Sequence, residues 1–136
     1  MSLRAIPVTV IPFFLYFIFA LSGVDFTSSI GGGDGWQMMS GGVWKLTWGD
    51  IILVITMICL FVEILKATYT STASLVDHGL SMVLFIAALI SFLMVPQAAT
   101  SVFFLLLVAL VIDVIAGFTI GIRVAKRDIG FGGGDQ

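Results

Sequence analysis

Four apolar stretches, each about the length a helix needs to cross a bilayer, constrain this chain more than any other feature. They run over residues 6–23, 49–66, 75–95 and 100–122. A spanning helix takes about 20 largely apolar residues, because every backbone polar group must be bonded internally within the hydrocarbon. Charged residues make up 10% of the chain and apolar ones 60%, with a mean hydropathy of +1.19. A soluble domain carries about 25% charge, so the pattern predicts an all-α integral membrane protein.

Connections and charges refine this expectation. The third and fourth spans are separated by "PQAAT", and Pro96 ends a helical ladder, which predicts a tight turn and an antiparallel helix hairpin. Arg4, Lys66, Arg123, Lys126 and Arg127 fall on one side of a four-span arrangement, and Lys45 falls on the other. Basic residues favour the cytoplasmic flank. The expected topology is an up-down four-helix bundle with both termini and loop 67–74 cytoplasmic. Loop 24–48 and turn 96–99 then face outward.

Domain organisation follows as one transmembrane unit over residues 1–122 and a basic, then Gly-rich cytoplasmic tail over 123–136. Arg4, an apolar run and "ALSG" also follow the order of a cleavable leader; the segment is read as a retained first span. Pro7 suits a helix start, and Pro12 should kink the helix or mark where its regular part begins. A bilayer is the expected setting, with a bacterial inner membrane as the expected location.

Asp113 lies within "LVALVIDVIAGFTIG", ten residues from Arg123, or ~15 Å of helix from the boundary. Ala109, Asp113, Gly117 and Gly121 are spaced by four and share a face, and "GFTIG" is a GxxxG sequence that admits close helix approach. Ala87, with Ser91, marks a second small-residue stripe on the third helix. Counting along the spans places Thr56, Ser91 and Tyr16 at the depth of Asp113, so these are its expected partners. An isolated ion at that depth is costly, and the carboxyl is expected in its neutral form unless a partner chain supplies a cation.

A second polar group is expected at the cytoplasmic surface. Glu63 and Lys66 are three apart and able to pair. Ser74 with Asp77 reads as a cap opening the third helix, and His78 follows. Glu63, Lys66, Asp77 and His78 are expected to gather there, either as interfacial charges or as a pH-sensitive group around His78. In the outer loop, Trp36, Trp44 and Trp48 suit the aromatic belt or a docking surface, and "VWKLTW" alternates as a short strand would. "GGGDG" lacks the Lys-Ser/Thr of a phosphate loop.

Several function classes are disfavoured. There is no basic face for nucleic acid. One Cys, Cys59, and one His, at different depths, do not make a metal site, and no cofactor is expected. No nucleophile and base pair up, so an enzyme is not expected. The expected function is a small non-catalytic integral membrane subunit of a larger complex, structural, assembly or accessory in role. It would pack through small-residue helix faces and the Trp/Gly-rich loop, with other membrane subunits or by self-association. The alternative is a small oligomeric transporter or channel with Asp113 as a proton or ion site, although the first span holds no acid and no inverted repeat is visible.

Overall fold

Why the helices begin and end where they do is local chemistry. A computed structural model describes residues 3–133, with the side chains of residues 4–127. It contains four α-helices: α1 (Val10–Leu21), α2 (Trp48–Lys66), α3 (Thr72–Met94) and α4 (Ser101–Gly133). Thr47 opens α2 through a reciprocal capping box, its hydroxyl accepting from the Asp50 amide at 3.1 Å while the Asp50 carboxylate accepts from the Thr47 amide at 2.9 Å. That arrangement satisfies two otherwise orphaned donors. Lys66 closes the same helix, where the dipole favours a cation. α3 is capped by Ser71, not Ser74: the Ser71 hydroxyl accepts from the Ser74 amide at 3.1 Å. The helix thus starts a turn earlier than Ser74 implies, and Asp77 is carried inside. α3 stops at Val95, the residue before Pro96, which is held away from helical geometry. Pro96–Ala98 forms a 3-10 turn, and the Thr100 hydroxyl then accepts from the Phe103 amide at 3.1 Å to open α4.

The first apolar stretch departs most from expectation. Its helix has 12 residues, or ~18 Å against a hydrocarbon core of ~30 Å. Pro7 is not at the helix start; it is a buried residue of the non-helical segment before it. Pro12 lies in the first turn of α1, so it marks the beginning of the regular part and does not kink it. At the other end of the chain, α4 continues through residues 123–133, well into the basic, Gly-rich segment read as a tail. Arg123, Val124, Ala125, Lys126 and Arg127 include good helix formers that carry the ladder on. Residues 134–136 lie outside the described part.

α2, α3 and α4 are each long and apolar enough to cross a membrane, the mark of a multi-pass membrane protein. Their polarity pattern is inverted relative to a soluble fold. On α2 the buried face is Gly49, Ile52, Thr56, Cys59 and Glu63, while Met57, Ile58, Phe61 and Leu65 are exposed. On α3 the buried face is Asp77, His78, Ser81, Leu84 and Ala88; Ala88, not its neighbour Ala87, lies on the inner stripe. Small and polar residues let helices approach and bond, and large apolar ones suit lipid.

One half of the structure is aromatic. Tyr16 stacks on Phe26 with ring centroids 4.6 Å apart and lies 4.9 Å from Phe103. Phe17 and Phe92 also pack on Phe103. The Tyr16 hydroxyl donates to the Gln97 carbonyl at 2.6 Å and pairs with Thr100 at 2.7 Å, so α1 is tied to the turn between α3 and α4. Gly49 meets α4 at close quarters: a Cβ there would come within 2.6 Å of Val102 Cγ2.

Loop 24–48 is anchored at its base by amide bonds from Ile30 to Leu46 and from Gly49 to Phe26. Strands β1 (Trp36–Gln37) and β2 (Val43–Trp44) pair antiparallel at its tip, Trp36 opposite Trp44. The strand expected over "VWKLTW" is confined to its first two residues. Near the base, the Thr27 hydroxyl and amide both donate to the exposed Asp25 carboxylate and hold its pKa below the usual range.

A buried ionic cluster at one end of the helices

The opposite half holds the polar groups. Glu63 is 1% exposed, Asp77 0%, His78 5% and Asp113 3%. Lys66 lies between two of these carboxylates, its Nζ 3.0 Å from Glu63 Oε1 and 2.8 Å from Asp77 Oδ1. The same ammonium donates to the Ile6 carbonyl at 2.8 Å, and the Val8 amide donates to Glu63 Oε1 at 2.6 Å. The Thr9 hydroxyl donates to Asp113 Oδ2 at 3.0 Å. Three side chains from α2 and α4 thereby fix residues 6, 8 and 9, a stretch with no helix of its own. Ala5, Pro7 and Thr9 are buried in the process.

Thr9 occupies the N-cap position of α1 but makes no capping bond with its side chain. A Thr in that position normally accepts from the first-turn amides. Here its hydroxyl serves Asp113 instead, and α1 forgoes a cap to reach α4.

His78 settles what the glycines of α4 do. A Cβ at Gly117 would sit 2.9 Å from His78 Nδ1, and one at Gly121 would sit 3.4 Å from Nε2. The GxxxG face therefore receives an imidazole from the same chain. Phe118 packs beside that ring with centroids 5.7 Å apart, and Ala109 is buried on the same helix. His78 Nδ1 lies 3.8 Å from Asp77 Oδ2. Ser81 lies on the same buried face of α3 as Asp77 and His78, and its hydroxyl is buried without a hydrogen-bond partner.

The residues singled out from sequence do not all converge. Glu63, Lys66, Asp77 and His78 come together, and Asp113 adjoins them in place of forming a separate deeper site. Thr56, Ser91 and Tyr16 do not bond Asp113. Thr56 and Ser91 donate to carbonyls of their own helices, Ile52 at 2.7 Å and Ala87 at 2.8 Å, and Tyr16 serves the far end. The depth count placed Tyr16 level with Asp113 by treating residues 4–16 as continuous helix; because α1 starts at Val10, Thr9 takes that level. Trp36 and Trp44 are exposed with rings 5.4 Å apart, but Trp48 packs edge-on against Phe19 within α2's first turn. Thr9 and Ser81 are the members that sequence reading missed. Ser81 follows Asp77 by four residues, which puts both on one helix face, and Thr9 precedes an apolar helical run.

Some polar atoms of the cluster have no partner. Glu63 Oε2, Asp77 Oδ2 and His78 Nε2 are buried without a hydrogen bond. Among the described residues, no three His, Cys, Asp or Glu side chains converge as metal ligands would. Beside the cluster lies a cavity of about 460 Å³ walled in part by His78, Gly121, Tyr69, Ser71, Leu75 and Phe118. Compared with family models, curated proteins and solved structures, the chain matches none.

Proposed function

We propose that the protein is a small non-catalytic membrane subunit, crossing four times with both termini in the cytoplasm and working bound to other membrane proteins or to copies of itself. The observation that carries this reading is where the polar groups are directed. Glu63, Lys66 and Asp113 turn inward onto residues 6–9 of the same chain, while large apolar side chains such as Phe14, Ile18, Phe61 and Leu93 cover the outside. Non-helical backbone is tolerated at membrane depth only where protein buries and bonds it. The bonds from Lys66, Glu63 and Asp113 to residues 6, 8 and 9 provide that support, so in this reading the segment before α1 and α1 together make up the first crossing. The aromatic half is filled by side chains, which favours a scaffold over a conduit. The exposed Trp36–Trp44 pair offers a contact at the outer surface. A bacterial inner membrane is the location in this reading.

Purification in mild detergent, with the mass of the intact assembly measured, tests it. A defined complex of fixed stoichiometry is expected. A lone monomer that moves protons or ions when reconstituted would contradict it.

A second reading, a proton or ion carrier using Asp113, is favoured by one specific feature: three buried carboxylates face one lysine and one histidine. Asp113→Asn separates the two. The amide still accepts from Thr9, so assembly should be preserved under the first reading. Under the second, flux in liposomes should vanish.

A further inference from the structure

We propose that Glu63 and Asp77 share one proton, forming a buried carboxyl–carboxylate pair that His78 connects to the adjoining cavity. The inference goes beyond the subunit reading and holds whether the chain works alone or in an assembly.

One ammonium, Lys66 Nζ, touches one oxygen of each carboxyl, at 3.0 and 2.8 Å. The Val8 amide adds a second donor to Glu63 Oε1. The two remaining oxygens, Glu63 Oε2 and Asp77 Oδ2, are buried and bare, and the shared Lys66 ammonium holds the two carboxyl groups next to each other. With both ionised, two negative charges would face a single cation and neither bare oxygen would have a donor, a costly state away from water. A proton held between them supplies the missing donor. It leaves one negative charge on the pair against one positive charge on Lys66. Carboxylates that share a site resolve their repulsion in this way, and the proton belongs to the pair, not to either residue.

Among the described residues, His78 is the other ionisable donor beside the pair, and at 3.8 Å its Nδ1 makes no hydrogen bond to Asp77 Oδ2. From α4 the facing group is Asp113, bonded to Thr9. From α2, Cys59 lies a turn before Glu63 on the same face. Residues 5–9 carry no titratable side chain, and Arg4 is engaged with the Tyr69 ring at 5.9 Å. Arg123, Lys126 and Arg127 are exposed.

His78 supplies the route. Nδ1 lies 3.8 Å from Asp77 Oδ2, and Nε2, without a partner, lies beside Gly121. Both His78 and Gly121 wall the cavity, which is large enough for several waters at ~30 Å³ each. The relay requires the ring to turn, because Nδ1 lies 3.8 Å from Asp77 Oδ2 and Nε2 is buried. The proton then passes from Asp77 Oδ2 to Nδ1 while Nε2 gives its own proton to water. The imidazole ends neutral in its other tautomer, and the pair ends fully ionised until the reverse step reloads it.

The test uses the full chain in lipid nanodiscs and infrared spectroscopy of protonated carboxyl groups at neutral pH. Asp113→Asn removes the other buried carboxyl from the spectrum. In that background the C=O band of a protonated acid should remain, and adding Asp77→Asn or Glu63→Gln should abolish it. Glu63 is the chain's single glutamate, so ¹³C-carboxyl glutamate shifts the band without a further substitution. Absence of the band in Asp113→Asn, or a band untouched by the isotope and by both second substitutions, overturns the shared proton. For the relay, His78→Phe should slow deuterium exchange into the band by about a hundredfold. An unchanged rate overturns that role.

Discussion

The two halves of this protein solve the same problem with opposite chemistry. Around Tyr16, Phe26 and Phe103, packing is aromatic and the buried hydroxyl has two partners. Around Lys66, packing is ionic, and Glu63, Asp77 and His78 each keep a buried atom without one. Both halves fasten α1's end of the chain to the other helices. The aromatic half does so with contacts that are insensitive to protonation. The ionic half does so with groups whose charge must balance. A fully satisfied network rigidifies, whereas a partly satisfied one is where protons, ligands or motion enter. The ionic half is therefore the part whose state can change.

Substitutions sharpen the contrast, the largest first. Lys66→Met leaves Glu63 and Asp77 without their cation and the Ile6 carbonyl without its donor. It should lower stability by about 3–5 kcal/mol, measured by reversible unfolding in mixed micelles. Adding Glu63→Gln and Asp77→Asn together should recover part of that loss, because the negative charge that lost its cation disappears with it. No recovery would mean that the lysine acts by packing alone.

Gly117→Ala probes the joint between α3 and α4. The new methyl meets the imidazole at 2.9 Å from Nδ1, and a rigid ring gives way at a cost of about 1–3 kcal/mol. Gly121→Ala meets it at 3.4 Å, an ordinary contact, and should change stability by less than about 0.5 kcal/mol. Equal effects of the two would show that His78 is not seated on Gly117.

In the aromatic half, Tyr16→Phe keeps the ring stack but removes the donor to the Gln97 carbonyl. A loss of about 1 kcal/mol is expected, with no change in pH dependence. A pH-dependent effect there would erase the distinction between the halves.

Much of the helical layout is readable in the sequence because apolar runs and Pro96 are local signals. The pairing of Glu63 with Lys66 is readable for the same reason, since it is one turn of one helix. What sequence reading lost is non-local. Thr9 carries a cap-type residue in a cap-type position, and only the tertiary fold diverts its hydroxyl 104 residues along the chain to Asp113. "GFTIG" advertises close approach but not by what; a histidine from α3 fills the space that a helix backbone was expected to take. The first apolar stretch departs from a continuous helix because residues 6–9, apolar as they are, have backbone groups bonded by Lys66 and Glu63 instead.

Hydrogen–deuterium exchange of the full chain in nanodiscs tests most directly the central claim, that the ionic cluster holds residues 6–9 inside the protein. The Val8 amide, outside every α-helix but bonded to Glu63 at 2.6 Å, should be protected to the same degree as amides within α2, while residues 31–35 of the outer loop exchange quickly. Exchange across residues 6–9 as fast as across 31–35 would contradict the account.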